Sequence, residues 1–326
     1  MKIAIVGATG EVGRMMMTCL QEYKVPVNEL KLFASSRSAG EQLFYEDRPI
    51  TVRELDENAL TEPYDYVLFS AGGSVAKTFA PIAARAGSVV IDNSSAFRME
   101  PEIPLVVPEI NGDLLKAYKG IIANPNCSTI QMVLPLAVLD KLFGLNKVVV
   151  STYQSVSGSG HQGILTLEDQ RAGSTDKGIY PRIIDLNVIP QIGMILDSGY
   201  SQEEEKMHLE TRKILRKEKI AVCATTVRVP VLYGHSESVY AEFDMPVDLA
   251  LAAQALTESQ SIDYYENSYL TPRELGSSDN SHVCRLRHGV DERSVSFWNV
   301  AHNVRLGAAS NAVRILIRHA ALAGKL

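Results

Sequence analysis

The sequence predicts an α/β chain in two parts: a doubly wound parallel sheet, then a second, α+β part built on a mixed sheet. Two observations carry this. Over the first 125 or so residues, β-branched apolar runs alternate with helical patterns, the arrangement of a parallel sheet with crossover helices on both faces. From residue 147 onward, strand-like runs follow one another without regular crossovers, as in a mixed or antiparallel sheet. A chain of 326 residues is long enough for two such domains.

The chain opens on Lys2-Ile3-Ala4-Ile5-Val6, an apolar run, followed by Gly7-Ala8-Thr9-Gly10-Glu11-Val12-Gly13 and a helical stretch through Gln21. A strand, a glycine turn and a helix in this order form the phosphate-binding unit of Rossmann-like domains. The glycines let the backbone approach a pyrophosphate, and the helix N-terminus offers it N–H donors. The spacing here is GxxGxxG, looser than the strict GxGxxG fingerprint. The next strand-like run, residues 30–34, leads into Ser35-Ser36-Arg37-Ser38, where NAD-binding chains commonly carry a carboxylate for the ribose. Hydroxyls and a guanidinium suit a 2′-phosphate, so NADP(H) is the expected cofactor. Runs at residues 66–70, 88–91 and 120–123, with a helix around 75–86, extend the sheet.

Asn126-Cys127-Ser128-Thr129 follows, ahead of a long apolar helix-like run over residues 130–143. A cysteine at a strand-to-helix turn is placed for nucleophilic chemistry. The helix dipole and backbone N–H groups favour a thiolate there, and the same donors can hold an oxyanion during acyl transfer. The plain alternative for a single cysteine is a buried structural thiol. In the second part, strand-like runs fall at residues 148–155, 220–230, 235–245, 282–287 and 294–302, and helical ones at 203–215 and 249–260. Gln154 stands where a strand runs into the loop Ser155-Val156-Ser157-Gly158. Arg228 and His235 are seven residues apart across a turn, and Glu203 and Lys206 are three apart, on one helix face. A last amphipathic helix, through Leu322, is expected to return to the first domain. The domains then run 1–126 plus 307–326, and 127–306.

Composition narrows the function. With 46% hydrophobic and 21% charged residues and a net charge of −6, the chain has no basic footprint for nucleic acid. No run approaches 18 uninterrupted apolar residues, and the first twenty residues read as strand and helix, not as a cleavable signal. A cytoplasmic protein without membrane contact is expected. The four cysteines, Cys19, Cys127, Cys223 and Cys284, are dispersed without metal-ligand spacing, so neither a disulfide framework nor a metal site is expected.

The motifs in order resemble those of the bacterial aspartate-semialdehyde dehydrogenases. The resemblance runs almost end to end. It includes the glycine turn at residue 7, the serine-arginine loop at residue 35, Ser94-Ser95-Ala96-Phe97-Arg98, Val107-Pro108-Glu109-Ile110-Asn111, and Asn124-Pro125-Asn126-Cys127-Ser128-Thr129. It continues through Thr152-Tyr153-Gln154-Ser155-Val156-Ser157-Gly158, Asn187-Val188-Ile189-Pro190, Glu203-Glu204-Glu205-Lys206-Met207, Arg228-Val229-Pro230-Val231, Gly234-His235-Ser236-Glu237 and Gly307-Ala308-Ala309-Ser310-Asn311-Ala312. The resemblance implies Cys127 as nucleophile, His235 as general acid/base and Gln154 as the residue orienting the acyl intermediate. Arg98 and Lys206, with Asn126, would hold the phosphate; Arg228 would take the substrate α-carboxylate and Glu203 its α-amino group. Cofactor contacts are implied at Gly7, Thr9, Gly10, Glu11, Val12 and Gly13, at Ser35, Ser36, Arg37 and Ser38, at Ser70 and Gly72, and at Ser157, Gly158 and Asn303.

The implied reaction is reductive dephosphorylation of L-aspartyl 4-phosphate to L-aspartate 4-semialdehyde through a cysteine thioester, with NADPH as hydride source. It belongs to lysine, diaminopimelate, methionine, threonine and isoleucine biosynthesis. The resemblance also implies a homodimer joined through the second-domain sheet, with a tetramer as the larger alternative. Two alternatives stand beside this reading: an N-acetyl-glutamyl-phosphate reductase, which runs the same thioester chemistry on a related fold, and a noncatalytic paralogue that keeps the fold. The family pattern has Asp-Asn and Arg-Lys-Gly before the last helix, where this chain has His302-Asn303 and Arg305-Leu306-Gly307, so contacts near the nicotinamide are expected to differ.

Overall fold

The computed structural model describes residues 1–326. They divide into two compact units, Met1–Pro125 with Ala308–Leu326, and Asn126–Gly307. Asn126 and Gly307 thus both belong to the second unit, each one residue away from the expected division.

In the first unit the order is β1 (Lys2–Val6), α1 (Glu11–Glu22), β2 (Glu29–Ala34), a hairpin of β3 (Gln42–Tyr45) and β4 (Arg48–Thr51), then β5 (Arg53–Glu54), β6 (Tyr66–Phe69), α2 (Gly73–Arg85), β7 (Val89–Asp92), α3 (Pro108–Asn111) and β8 (Ile121–Ala123). A closing helix, Ser310–Leu322, completes it. Six strands form one sheet in the order β5-β2-β1-β6-β7-β8, every neighbouring pair parallel. Alternation along β1 explains the two covered faces. Ile3 and Ile5 join Met16 and Leu20 of α1 and Val313 and Leu316 of the closing helix, whereas Ala4 and Val6 join Ala76, Ala80 and Ala83 of α2. A strand buried on both faces needs apolar residues at successive positions, and β1 has them from Ile3 to Val6. The hairpin strands and β5 are only four, four and two residues long, too short for periodicity to show them. Because β1 lies between β2 and β6, the strand order reverses beside it, which opens a crevice at the C-terminal ends of these strands.

The second unit runs α4 (Cys127–Phe143), β9 (Leu145–Gln154), α5 (His161–Arg171), α6 (Gln202–Leu215), β10 (Ala221–Arg228), β11 (His235–Phe243), α7 (Leu249–Glu258), β12 (Ile262–Tyr265), β13 (Ser281–His288) and β14 (Ser294–Ala301). Its sheet has the order β10-β9-β11-β14-β13-β12. The pairs β9/β10 and β12/β13 are parallel and the other three antiparallel, a mixed sheet. On β9, Val148, Val150, Thr152 and Gln154 are buried, while Val149 and Tyr153 on the opposite face are 40% and 38% exposed. α4 is buried along most of its length, which accounts for apolar residues all round it. It begins at Cys127, three residues before the apolar run expected to start at Ile130, because the Asn126 side chain accepts hydrogen bonds from the Ser128 and Thr129 N–H groups and caps it.

Candidate active site

Cys127 is the first residue of α4 and is partly exposed. Asn126 anchors its position from three directions. The carboxamide oxygen accepts the N–H groups of Ser128 (3.0 Å) and Thr129 (3.2 Å), its amide donates to Glu203 Oε1 (2.8 Å), and its backbone N–H donates to Glu210 Oε2 (2.6 Å). Two first-turn donors that the sequence offered to an oxyanion are therefore spent on the cap. Gly307 packs against the nucleophile so closely that a Cβ there would lie 2.6 Å from the Cys127 Cβ.

The mixed sheet supplies the rest. Arg228 pairs with Gln154 at the end of β10 and β9, and Ser236 pairs with Tyr153, which sets His235 and Gln154 at the next position of the ladder. Arg228, Gln154 and His235 therefore form one row across the ends of β10, β9 and β11, at 5%, 1% and 0% exposure. Arg228 Nη1 donates to the Ser155 carbonyl (2.6 Å), and Gln154 Nε2 donates to Thr152 Oγ1 (3.3 Å). His235 Nδ1 receives the Ser155 N–H (3.1 Å), and the Gln131 amide, one turn into α4, donates to the His235 carbonyl (3.3 Å). Gly158 must be small here: a Cβ would lie 2.9 Å from Arg228 Nη1 and 3.2 Å from His235 Nε2.

Three consecutive glutamates open α6, and the structure separates their roles. Glu204 closes a capping box with Ser201 and accepts the Thr226 N–H (2.9 Å), a structural duty. Glu203 is buried and accepts from Lys206 Nζ (3.0 Å) as well as from Asn126. Burial alone would raise its pKa, but Lys206, Asn126 and Arg228 outweigh that and hold it down at about 2. An isolated imidazole titrates near neutrality, but His235 does not. Burial first, and then the Arg228 guanidinium, press its pKa down to about 3, so the imidazole is neutral at pH 7.

In the first unit the glycine turn follows β1. Gly7 has φ +80°, and a Cβ there would meet the Ser70 carbonyl at 2.5 Å; a Cβ on Gly13 would meet the Gly7 carbonyl at 2.3 Å. Both positions thus exclude any side chain, leaving a bare backbone cradle at the first turn of α1 with Gly10, Glu11 and Val12. Thr9 Oγ1 reaches Ser38 Oγ at 3.5 Å, joining the glycine turn to the Ser36–Ser38 turn, where Ser35, Ser36 and Arg37 are exposed. Gly72 precedes α2 as its N-cap. Arg98 is buried, its guanidinium donating to the carbonyls of Asn124 (2.9 Å) and Asn93 (2.8 Å).

Residues 2–118 match the family described as semialdehyde dehydrogenase, NAD binding domain, and residues 135–306 match semialdehyde dehydrogenase, dimerisation domain. Over 327 residues the chain is 45% identical to the aspartate-semialdehyde dehydrogenase of Aquifex aeolicus, covering 96% of each. The chain belongs to the aspartate-semialdehyde dehydrogenase family. The fold agrees with family members of known structure. Aspartate semialdehyde dehydrogenase II of Vibrio cholerae, solved in complex with ASA, superposes with a TM-score of 0.93 at 41% identity over 97% of each chain. The Candida albicans aspartate semialdehyde dehydrogenase, solved with NADP, has a TM-score of 0.77 at 25% identity over 100% of this chain and 99% of that one.

Of the family residues expected, the second unit brings together Cys127, Asn126, Gln154, Glu203, Lys206, Arg228 and His235, and the first unit carries Arg98 and the glycine and serine-arginine turns. Ser157 and Asn303 are tied to each other, Asn303 Nδ2 donating to Ser157 Oγ (3.0 Å) while Asn303 Oδ1 accepts the Gly234 N–H (2.9 Å). Asn303 thus braces the turn before His235. His302 lies against Tyr233, ring centroids 5.7 Å apart, and burial with the nearby Arg305 lowers its pKa to about 4. Sequence reasoning missed Glu210, Gly307 and Ser155. For Glu210 a signal existed: it lies two turns after Glu203 and so shares its helix face. No cluster of His, Cys, Asp and Glu side chains is placed to hold a metal ion, and no helix is long and apolar enough to cross a membrane.

Proposed function

We propose that the protein is a cytoplasmic, NADP-dependent aspartate-semialdehyde dehydrogenase that converts L-aspartyl 4-phosphate to L-aspartate 4-semialdehyde and phosphate, a step of aspartate-family amino-acid biosynthesis. The observation that carries this is one constellation: Cys127 at the head of α4, with Asn126, Glu203 and Lys206 beside it, and Arg228, Gln154 and His235 in one row of the sheet.

Cys127 attacks the acyl carbon; the C–S bond forms, the C–O bond to phosphorus breaks, and phosphate leaves with a thioester behind it. Arg228 grips the α-carboxylate in paired hydrogen bonds, and the ionised Glu203 faces the α-ammonium. An N-acetylated substrate has no such ammonium for Glu203. Lys206 and Asn126 hold the phosphate; for Arg98 that role is what the family resemblance implies. The bare glycine cradle suits a dinucleotide pyrophosphate and the exposed Arg37 a 2′-phosphate; when bound, the nicotinamide supplies the hydride that reduces the thioester. Gln154 orients the acyl carbonyl and His235 handles the protons as the resulting thiohemiacetal breaks its C–S bond and releases the aldehyde. The protein works as a homodimer through the open face of the mixed sheet, where Val149, Tyr153 and the half-buried Trp298 are displayed.

The test is phosphate-dependent reduction of NADP⁺ with L-aspartate 4-semialdehyde, beside the N-acetyl-glutamate semialdehyde analogue, for the wild type and Cys127→Ser. Turnover of the first substrate alone is expected, with none in the variant, which stays folded and still binds NADP⁺. A substantial rate in Cys127→Ser, or preference for the acetylated analogue, would overturn the proposal.

A further inference from the structure

His235 receives a hydrogen bond that decides where its proton sits. A backbone N–H can only donate, and the Ser155 N–H points at Nδ1 from 3.1 Å. Nδ1 therefore carries the lone pair, and the single proton of the neutral ring is on Nε2, a position without a protein partner. In this tautomer Nε2 donates a hydrogen bond but cannot accept a proton. The acid/base role proposed above requires Nε2 to give and take a proton, which is open to the ring only while Nδ1 holds a proton of its own.

The same serine provides for that second state. Its Oγ also lies 3.1 Å from Nδ1. The Oγ–H has acceptors elsewhere, Asn303 Oδ1 at 3.3 Å and Ser157 Oγ at 3.2 Å. Asn303 cannot turn its amide around, because Oδ1 takes the Gly234 N–H at 2.9 Å and Nδ2 donates to Ser157. With its own proton directed to Asn303, Ser155 Oγ turns a lone pair towards His235.

We propose that Ser155 is the positioning residue that switches His235 between tautomers: its N–H holds the resting form with the proton on Nε2, and its Oγ accepts the Nδ1–H of the protonated ring. The assignment rests on His235 acting as the acid/base of the proposed reaction. When a proton enters Nδ1, the bond from the Ser155 N–H is lost and Nδ1–H to Oγ replaces it. Nε2 can then release its proton to substrate and recover one, while Nδ1–H stays anchored on Ser155. The charges facing the ring are Arg228 at the end of β10, Glu203 on α6 and His302 after β14. Arg228 and His302 oppose the imidazolium, and Glu203 and the Gly234 backbone favour it, so a neutral hydroxyl acceptor adds to the favourable side where the charges are divided.

Ser155→Ala keeps the backbone donor and removes the acceptor. The expected result is a fall in kcat of about 10- to 100-fold, the scale of one hydrogen bond to a charged group, with KM little changed and the limb of the kcat/KM profile that reports the His235 imidazolium moved to lower pH. Ser155→Thr keeps a hydroxyl and restores most of kcat. The resting tautomer is read separately, by ¹⁵N chemical shifts of the His235 ring in the substrate-free protein, where protonated Nε2 and bare Nδ1 are expected. Wild-type kcat and pH profile in Ser155→Ala, equal impairment in Ser155→Thr, or a resting ring protonated on Nδ1 would each overturn the inference. Absence of any aspartate-semialdehyde turnover in the wild type would instead strike at the proposed function, and the ring shifts would still test the tautomer.

Discussion

Glu237 offers a test of the buried electrostatics beneath the active site. It lies two residues after His235 on β11, opposite Thr152 of β9 and Asn299 of β14, with no exposure and no hydrogen-bond partner for either carboxyl oxygen. Burial raises its pKa well above the ordinary 4.5, opposed only in part by the neighbouring Gln131 amide. The folded chain therefore keeps this proton at pH values where the unfolded chain has lost it. Where the native state holds the extra proton, stability falls as pH rises, by about 1.4 kcal/mol per pH unit. The loss starts near the unfolded value and ends only at the raised folded value. Glu237→Gln has no proton to lose. Its stability relative to wild type should be flat below about pH 4 and should then climb as pH rises through the unfolded value, levelling off only at the raised folded value. His235 and His302, with lowered pKa values, give both proteins an opposite trend, and the difference between the two curves removes it. Trp298, the single tryptophan, lies on β14 of the same sheet, so urea titrations followed by its fluorescence report the unfolding of this unit. A stability difference that stays constant from pH 5 to 6.5, or that grows in favour of wild type, would refute an un-ionised Glu237.

Three further outcomes follow from the geometry. Gly307→Ala places a Cβ 2.6 Å from the Cys127 Cβ, so the nucleophile must shift, and kcat should fall by about 100-fold with cofactor binding retained; steady-state kinetics and a cofactor titration check both. Arg37→Ala should weaken NADP⁺ by about tenfold and NAD⁺ hardly at all, since only NADP⁺ carries the 2′-phosphate, and equal weakening in a titration of both cofactors would remove Arg37 from that role. The open sheet face should bury well over about 2,000 Å² in a dimer, so light scattering at sub-micromolar concentration should show a dimer for wild type and a monomer for Tyr153→Asp, and a fully active wild-type monomer would exclude the obligate assembly.

What this chain states in its sequence is what depends on near neighbours along it. The continuous apolar run of β1 specifies a strand buried on both faces, and the glycines at 7, 10 and 13 specify a turn where backbone, not side chain, must line the surface. Asn126 before Cys127 specifies a capped helix with the thiol in its first turn. Each is a relation within a few residues, where periodicity, capping and φ preference act directly. The motifs around Gln154, Glu203, Arg228 and His235 were also legible as candidates. Their arrangement was not, because pairing Arg228 with Gln154, and Gln154 with His235, is a matter of strand order and register across stretches of more than seventy residues. The same holds for the contact of Gly307 with Cys127, for Glu210 on the Asn126 N–H, and for the Ser155 donor that places the proton of His235. Charge state is the least local property of all. An isolated histidine titrates near neutrality, but enclosure beside Arg228 leaves His235 neutral at rest, and enclosure away from any cation keeps the proton on Glu237. Solvation and field at a side chain are sums over everything packed around it, so only the folded chain decides them.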